Sequence, residues 1–116
     1  MFYLFFTEQL FVIGYTRFNE RHRGGLMGYI VKNHHVRYVT EQGQMLAEVT
    51  FPEVEPGVVD INHTFVDDSL RGQGVAGELL RRAVDAIAHN GERTRASCSY
   101  AMHWFERHPE HQDLLA

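Results

Sequence analysis

The chain has 116 residues, 44% of them hydrophobic, and a formal net charge of −4. That length fits one domain with a real core, and the apolar fraction is too low for a membrane protein. Nothing in the acidic balance suggests a nucleic-acid binder, which usually carries a basic face, and the single cysteine, Cys98, excludes an intrachain disulfide framework and fits a reducing cytoplasm.

Residues 1–15 are apolar and rich in aromatics, interrupted by Glu8 and Gln9. The stretch is too short to span a bilayer, and no basic segment precedes it, so no signal peptide is expected. A buried strand or a short helix is one reading of it. The other reading is an upstream extension. Met27 stands four residues before a clean strand-like run, behind Arg23-Gly24-Gly25, whose possible codons include purine-rich, ribosome-binding-like stretches. We expect residues 1–26 to be an N-terminal extension and residues 27–116 to form the domain.

Residues 35–40 (His-Val-Arg-Tyr-Val-Thr) read as a strand, and Glu41-Gln42-Gly43-Gln44 as a turn. Residues 45–51 alternate, with Met45, Ala47, Val49 and Phe51 on one face and Leu46, Glu48 and Thr50 on the other. Pro52, Pro56 and Gly57 turn the chain again. Residues 58–66 form a third expected strand, with Val59, Ile61, His63 and Phe65 on one side. From Val75 the period changes. Leu79, Leu80, Ala83, Val84 and Ile87 recur at helical spacing, and Asn90-Gly91 supplies a stop. Residues 94–99 read as a short strand and residues 100–107 as a second helix, ended near Pro109. The order points to an α+β (α/β-like) fold: a mixed, mainly antiparallel sheet with helices packed on it.

The segment between Val66 and Leu79 carries the most information. Gly72 and Gly74 let backbone amides approach an anion without Cβ obstruction. Ala76 and Gly77 keep the first helical turn narrow. The free N–H groups at the helix start make an anion site, and Arg71 adds a cation at its entrance. Pyrophosphate is the expected guest. No Gly-Lys-Ser/Thr is present for a nucleoside-triphosphate loop, and the strands before this loop read as antiparallel, unlike the parallel strands of a dinucleotide-binding fold. A plain tight turn would also explain a Gly-x-Gly.

Arg71-x-x-Gly74-x-Ala76 resembles the Arg/Gln-x-x-Gly-x-Gly/Ala signature of the GNAT acetyltransferase superfamily, in the expected place between a strand and a long helix. Leu46-Ala47-Glu48-Val49-Thr50-Phe51, Ile61-Asn62-His63-Thr64-Phe65-Val66, Cys98-Ser99-Tyr100 and the closing run from Arg107 are similar to a minimal single-domain subfamily. The resemblance covers residues 29–115. It implies the minimal acyl-CoA N-acyltransferase fold, with acetyl-CoA as cosubstrate and an amine as acceptor. It implies that the backbone at Phe65 and Val66 pairs with the pantetheine arm, and that the amides of Gly72, Gln73, Gly74, Val75, Ala76 and Gly77 hold the pyrophosphate beside Arg71. The acetyl group is then expected between the 58–66 and 94–99 strands, near Cys98.

Acetyl transfer needs a neutral amine, a polarised carbonyl and a proton for the leaving thiolate. The family's larger members use a tyrosine on the last helix as acid, and Phe105 stands at that position. Cys98 is the expected replacement and His63 the expected base, each weighed against ordinary packing roles. Tyr100 and Glu48 are weaker candidates. The eight histidines lack a metal motif, and no metal is expected. Two function classes stand: an acetyl-CoA-dependent N-acetyltransferase, or a non-catalytic acyl-CoA-binding module. A generic interaction domain is a third and poorer reading. The sequence does not name the acceptor or the oligomeric state.

Overall fold

The computed structural model describes residues 11–17 and 26–116. The chain forms β1 (Phe11–Arg17), β2 (Leu26–Lys32), β3 (His35–Thr40), β4 (Met45–Thr50), β5 (Glu53–Glu55), β6 (Val58–Ile61), β7 (His63–Val66), α1 (Val75–His89), β8 (Arg93–Ala96) and α2 (Ser99–Arg107), with 3-10 turns at Asp68–Leu70 and Pro109–Leu114. The expected α+β class is what folds. One sheet runs β1-β2-β3-β4-β7 and a second runs β5-β6-β8. Every neighbouring pair is antiparallel except β6 and β8, which are parallel.

Strand β1 falls within the first 26 residues, where an extension was expected, and it pairs with β2 at the edge of the larger sheet. Leu26 opens β2, and residues 1–10 and 18–25 lie outside the described residues. Met27 is inside β2.

The core follows from the alternation of β3 and β4 and the helical period of α1. Val36, Tyr38, Ala47, Val49 and Phe51 line the inner face of the sheet. Leu79, Leu80, Ala83, Val84 and Ile87 pack on them from α1. Fully burying each large aliphatic side chain contributes about 1.5–3 kcal/mol, so this one stripe fixes α1 to the sheet. Met45 was expected on the inner face, yet it is exposed and Leu46 is buried. A register shift between Tyr38 and Val39 opposite the start of β4 breaks the simple alternation. On the flank of the sheet, Tyr29 lies against Tyr38 at 4.5 Å between ring centroids. The Arg82 guanidinium sits 4.3 Å over the Tyr29 ring. Burial pushes the Tyr29 hydroxyl well above the usual tyrosine range.

The tail closes the smaller sheet. After the 3-10 turn Pro109–Leu114, Leu115 bridges Thr94 in parallel. Ala116 N donates to Thr94 O at 2.8 Å, and Arg93 Nη2 donates to Leu115 O at 2.6 Å. Among the described residues no helix is long and apolar enough to cross a membrane.

Candidate functional site

The strand expected over residues 58–66 is two strands. Up to Ile61 it pairs with β8, and from His63 it pairs with β4. The break falls at Asn62, whose N–H donates to Thr50 O at 3.2 Å while its Oδ1 accepts from Thr50 Oγ1 at 2.6 Å. Val59 and Ile61 are buried, whereas His63 and Phe65, two and four residues further on, are exposed. The four expected on one face therefore divide at Asn62.

Strand β8 also ends earlier than expected. The Asp60 carboxylate accepts from Ser97 N at 3.0 Å and from Ser97 Oγ at 2.7 Å. That turn puts Cys98 at the N-cap of α2 rather than within a strand. Cys98 N donates to Ile61 O at 3.1 Å, the last link between the two segments. Beyond it β7 and α2 diverge, and the outer edge of β7, the last strand of its sheet, is left open. Such an edge offers unpaired N–H and C=O groups.

Cys98 lies in this fork, partly buried. Its Sγ donates to Thr64 Oγ1 at 3.7 Å. Successive strand residues point to opposite faces, so the contact with Thr64 puts His63 on the other face of β7. The structure does not bring His63 to the thiol. Thr64 was not singled out from sequence, because the change of face at Asn62 carries no signature in the residue pattern.

The loop after β7 is built from its own side chains. Asp67 Oδ2 accepts from Ser69 N at 3.0 Å and Ser69 Oγ at 2.6 Å, opening a 3-10 turn. Buried Leu70 anchors that turn to the core. Gln73 Nε2 donates to Ser69 O at 3.1 Å. Gly72 and Gly74 have φ of 80° and 79°, a region that favours glycine. Gly74 is the N-cap of α1, and no side chain caps that helix. The helix begins with Glu78 N donating to Gly74 O at 3.1 Å. The N–H groups of Val75, Ala76 and Gly77 precede that bond and have no acceptor within the helix. A Cβ at Gly72 or Gly74 would meet no protein atom within 4 Å.

These amides border a cavity of about 300 Å³ lined by Val66, Leu70, Arg71, Gly74, Gly77 and Tyr100, among others. It connects the open end of β7 with the start of α1. Arg71 is mostly exposed and paired with Asp68 at 2.9 Å, a surface pair that costs little to separate. Of the expected cofactor residues, Val66, Arg71, Gly72, Gly74, Val75, Ala76 and Gly77 line this cavity; Gln73 and Phe65 do not, and the Phe65 side chain is exposed. Tyr100 reaches across from α2, its hydroxyl 3.9 Å from where a Gly77 Cβ would be. Phe105, expected at the position of the family's tyrosine, is in the core. One turn into α1, Arg81 hydrogen-bonds Glu78 and holds its carboxyl below the usual range. The arrangement can hold an anion at the helix start, a hydrogen-bonding arm along β7, and a reactive group in the fork.

Comparison with known proteins gives one consistent result. A family model described as GCN5-related N-acetyl-transferase matches residues 34–114. The chain is 31% identical over 68 residues to Protein NATD1 of Bos taurus, a match covering 59% of this chain and 60% of that protein. Human Protein NATD1 is 29% identical over 68 residues, again covering 59% of this chain and 60% of the relative. The match thus spans about three fifths of these relatives' length. The solution structure of a GCN5-like putative N-acetyltransferase from Staphylococcus aureus superposes with a TM-score of 0.63 at 32% identity, covering 76% of this chain and 86% of that one.

Proposed function

Given that the chain belongs to the GCN5-related N-acetyltransferase family, we propose that it moves an acetyl group from acetyl-CoA to an amine. The observation that carries this reading is the uncapped start of α1, which opens on a cavity beside the free edge of β7. A helix start with free N–H groups suits a pyrophosphate. A strand edge suits the amide-bearing pantetheine arm, which can pair with it as an added strand does. Thr64, Val66 and Cys98 lie where such an arm would end, in the fork between β7 and α2.

In direct transfer the amine nitrogen attacks the thioester carbonyl carbon. A C–N bond forms, the C–S bond breaks, and the proton lost by nitrogen passes through solvent or a site group to the CoA sulfur. Cys98 is the site group we assign to the fork, either shaping it or protonating the departing sulfur. With His63 on the opposite face of β7, we assign it no proton exchange with Cys98. The acceptor is an amine of a small molecule or of a protein.

Phe105, buried in place of an acid, favours a second reading in which the domain binds acyl-CoA without turnover. A panel of amines with acetyl-CoA, followed by thiol release and by mass of the products, separates the two. Acetylated amine with stoichiometric CoA establishes transfer. Tight binding of acetyl-CoA with no product across the panel supports the binding module.

A further inference from the structure

Among the described residues four large hydrophobic side chains are exposed: Met45, Val54, Phe65 and Met102. Two of them flank the fork, on the side turned away from the cavity at the start of α1. Phe65 stands in β7 between Thr64, which meets Cys98, and Val66, which lines that cavity. Strand alternation puts its side chain on the opposite face, where it is 41% exposed. Met102 is 47% exposed on α2. Its N–H donates to Cys98 O at 3.0 Å, so it follows Cys98 one turn along the helix. A step of two residues from Tyr100 is about 200° round a helix, so Met102 stands away from the side on which Tyr100 lines the cavity.

The base of the same mouth carries a charge. Asp60 precedes Ile61 and Ser97 precedes Cys98, the two residues whose backbones make the last link between the segments. Val59 and Ile61 are buried and Asp60 between them is not, so its carboxylate is turned from the core. Ser97 N and Oγ hold that carboxylate at 3.0 and 2.7 Å. The neighbouring charges are matched. Arg95, opposite Asp60 in register, pairs with Glu55, and Glu48, opposite Phe65, pairs with Arg37 at 3.1 Å. Among the described residues Asp60 has no ion-pair partner. His63, two residues before Phe65, is the exposed titratable group on that face of β7.

We propose that this mouth selects, as acceptor, a primary amine on an apolar body: an arylalkyl- or alkylamine with no second charge. The inference rests on the transfer reading. The ammonium meets Asp60, and the apolar body lies between Phe65 and Met102. A phenyl ring and a thioether both favour contact with an aromatic body. A polyamine would set a second ammonium against two apolar side chains, and an amino acid would bring its carboxylate to Asp60. Each would lose solvation without gaining a partner. Before reaction the ammonium gives one proton to solvent water. Attack by the neutral nitrogen then forms the C–N bond and breaks the C–S bond, and the second proton lost by nitrogen ends on the CoA sulfur.

The test follows acetyl transfer by the full chain from acetyl-CoA to phenethylamine, ethylamine, spermidine, free glycine and aniline, with acetyl-CoA affinity read by calorimetry. The kcat/KM for phenethylamine is expected to exceed those for ethylamine, spermidine and glycine by about tenfold or more. Phe65→Ser and Met102→Ser, both at exposed positions, are each expected to raise KM for phenethylamine by about fivefold or more while that for ethylamine moves less than about twofold. Asp60→Asn keeps an oxygen to accept from Ser97. It is expected to raise KM for phenethylamine about tenfold and to leave aniline, which is uncharged at neutral pH, within about twofold. Acetyl-CoA affinity should hold in all three variants. A preference for ethylamine, spermidine or glycine, or variants whose effects do not depend on the acceptor, overturns the acceptor assignment and leaves the transfer reading intact. No acetylated product from any amine overturns the transfer reading, and this inference with it.

Discussion

Cys98 Sγ and Thr64 Oγ1 lie 3.7 Å apart, joining the start of α2 to β7 across the fork where the two sheets part. Below them Cys98 N and Ile61 O make the last backbone link at 3.1 Å. Above them no β pairing joins β7 to α2. A thioester bound along β7, as we propose, would meet this pair of side chains where the gap opens.

Cys98→Ala is expected to lower turnover about tenfold or more while changing acetyl-CoA affinity by less than about twofold, because the role we propose for the thiol is exerted in the transition state. Steady-state rates and calorimetry on the same protein read the two effects. Intact-protein mass spectrometry after mixing with acetyl-CoA divides the routes: direct attack leaves no acetyl adduct on Cys98, and an adduct that decays at the turnover rate establishes a covalent route. Full activity in Cys98→Ala returns the residue to a packing role.

Stability is expected to fall in mild acid because of His35. Its Nε2 is buried without a hydrogen-bond partner. Burial, then the nearby Arg37 charge, holds its pKa below the ordinary 6.5. The unfolded chain therefore binds the proton more readily than the native one. The stabilisation is complete above the ordinary value and is lost as pH falls through the depressed native value. Urea midpoints measured from about pH 7 down to about pH 5 should decline, and His35→Gln should flatten that slope. An unchanged slope in the variant contradicts the assignment.

A chain beginning at Met27 is expected to unfold cooperatively and to bind acetyl-CoA as the full chain does. Every group assigned to the site lies on β7, the following loop, α1 or α2, and β2 retains its pairing with β3 along Met27 to Lys32. The cost is an exposed edge on β2 where β1 stood. Thermal unfolding and calorimetry check it. Loss of the cooperative transition shows that β1 is an obligatory strand of the sheet.

The parts of the fold legible in sequence are those with a clean local period. The boundaries of β3 and the start of α1 at Val75 follow from alternation and from the five apolar residues on one helix stripe. The glycine loop before α1 was legible because Gly72 and Gly74 take positive φ, which few other residues accept. What escaped depends on tertiary hydrogen bonds. The break at Asn62 is set by Thr50 from another strand, and the early end of β8 by Asp60 from its neighbour. Those contacts turn His63 away from the fork and bring Thr64 and Cys98 into it. Strand β5 is only Glu53–Glu55 within a Pro- and Gly-containing turn, too short for its own pattern to be read.

The most direct test of the account is the affinity of acetyl-CoA for the wild-type chain and for Gly74→Val. Gly74 opens α1 at φ 79°, and a Cβ there would meet no protein atom within 4 Å, so a branched side chain would project into the cavity proposed for the pyrophosphate. The left-handed backbone costs the variant about 1–2 kcal/mol of stability, which circular dichroism and thermal unfolding will register separately. With folding verified, the account predicts that acetyl-CoA raises the wild-type melting temperature and that the variant loses most of that shift, with affinity reduced about tenfold or more. Undiminished acetyl-CoA binding by folded Gly74→Val would contradict the placement of the cosubstrate at the start of α1.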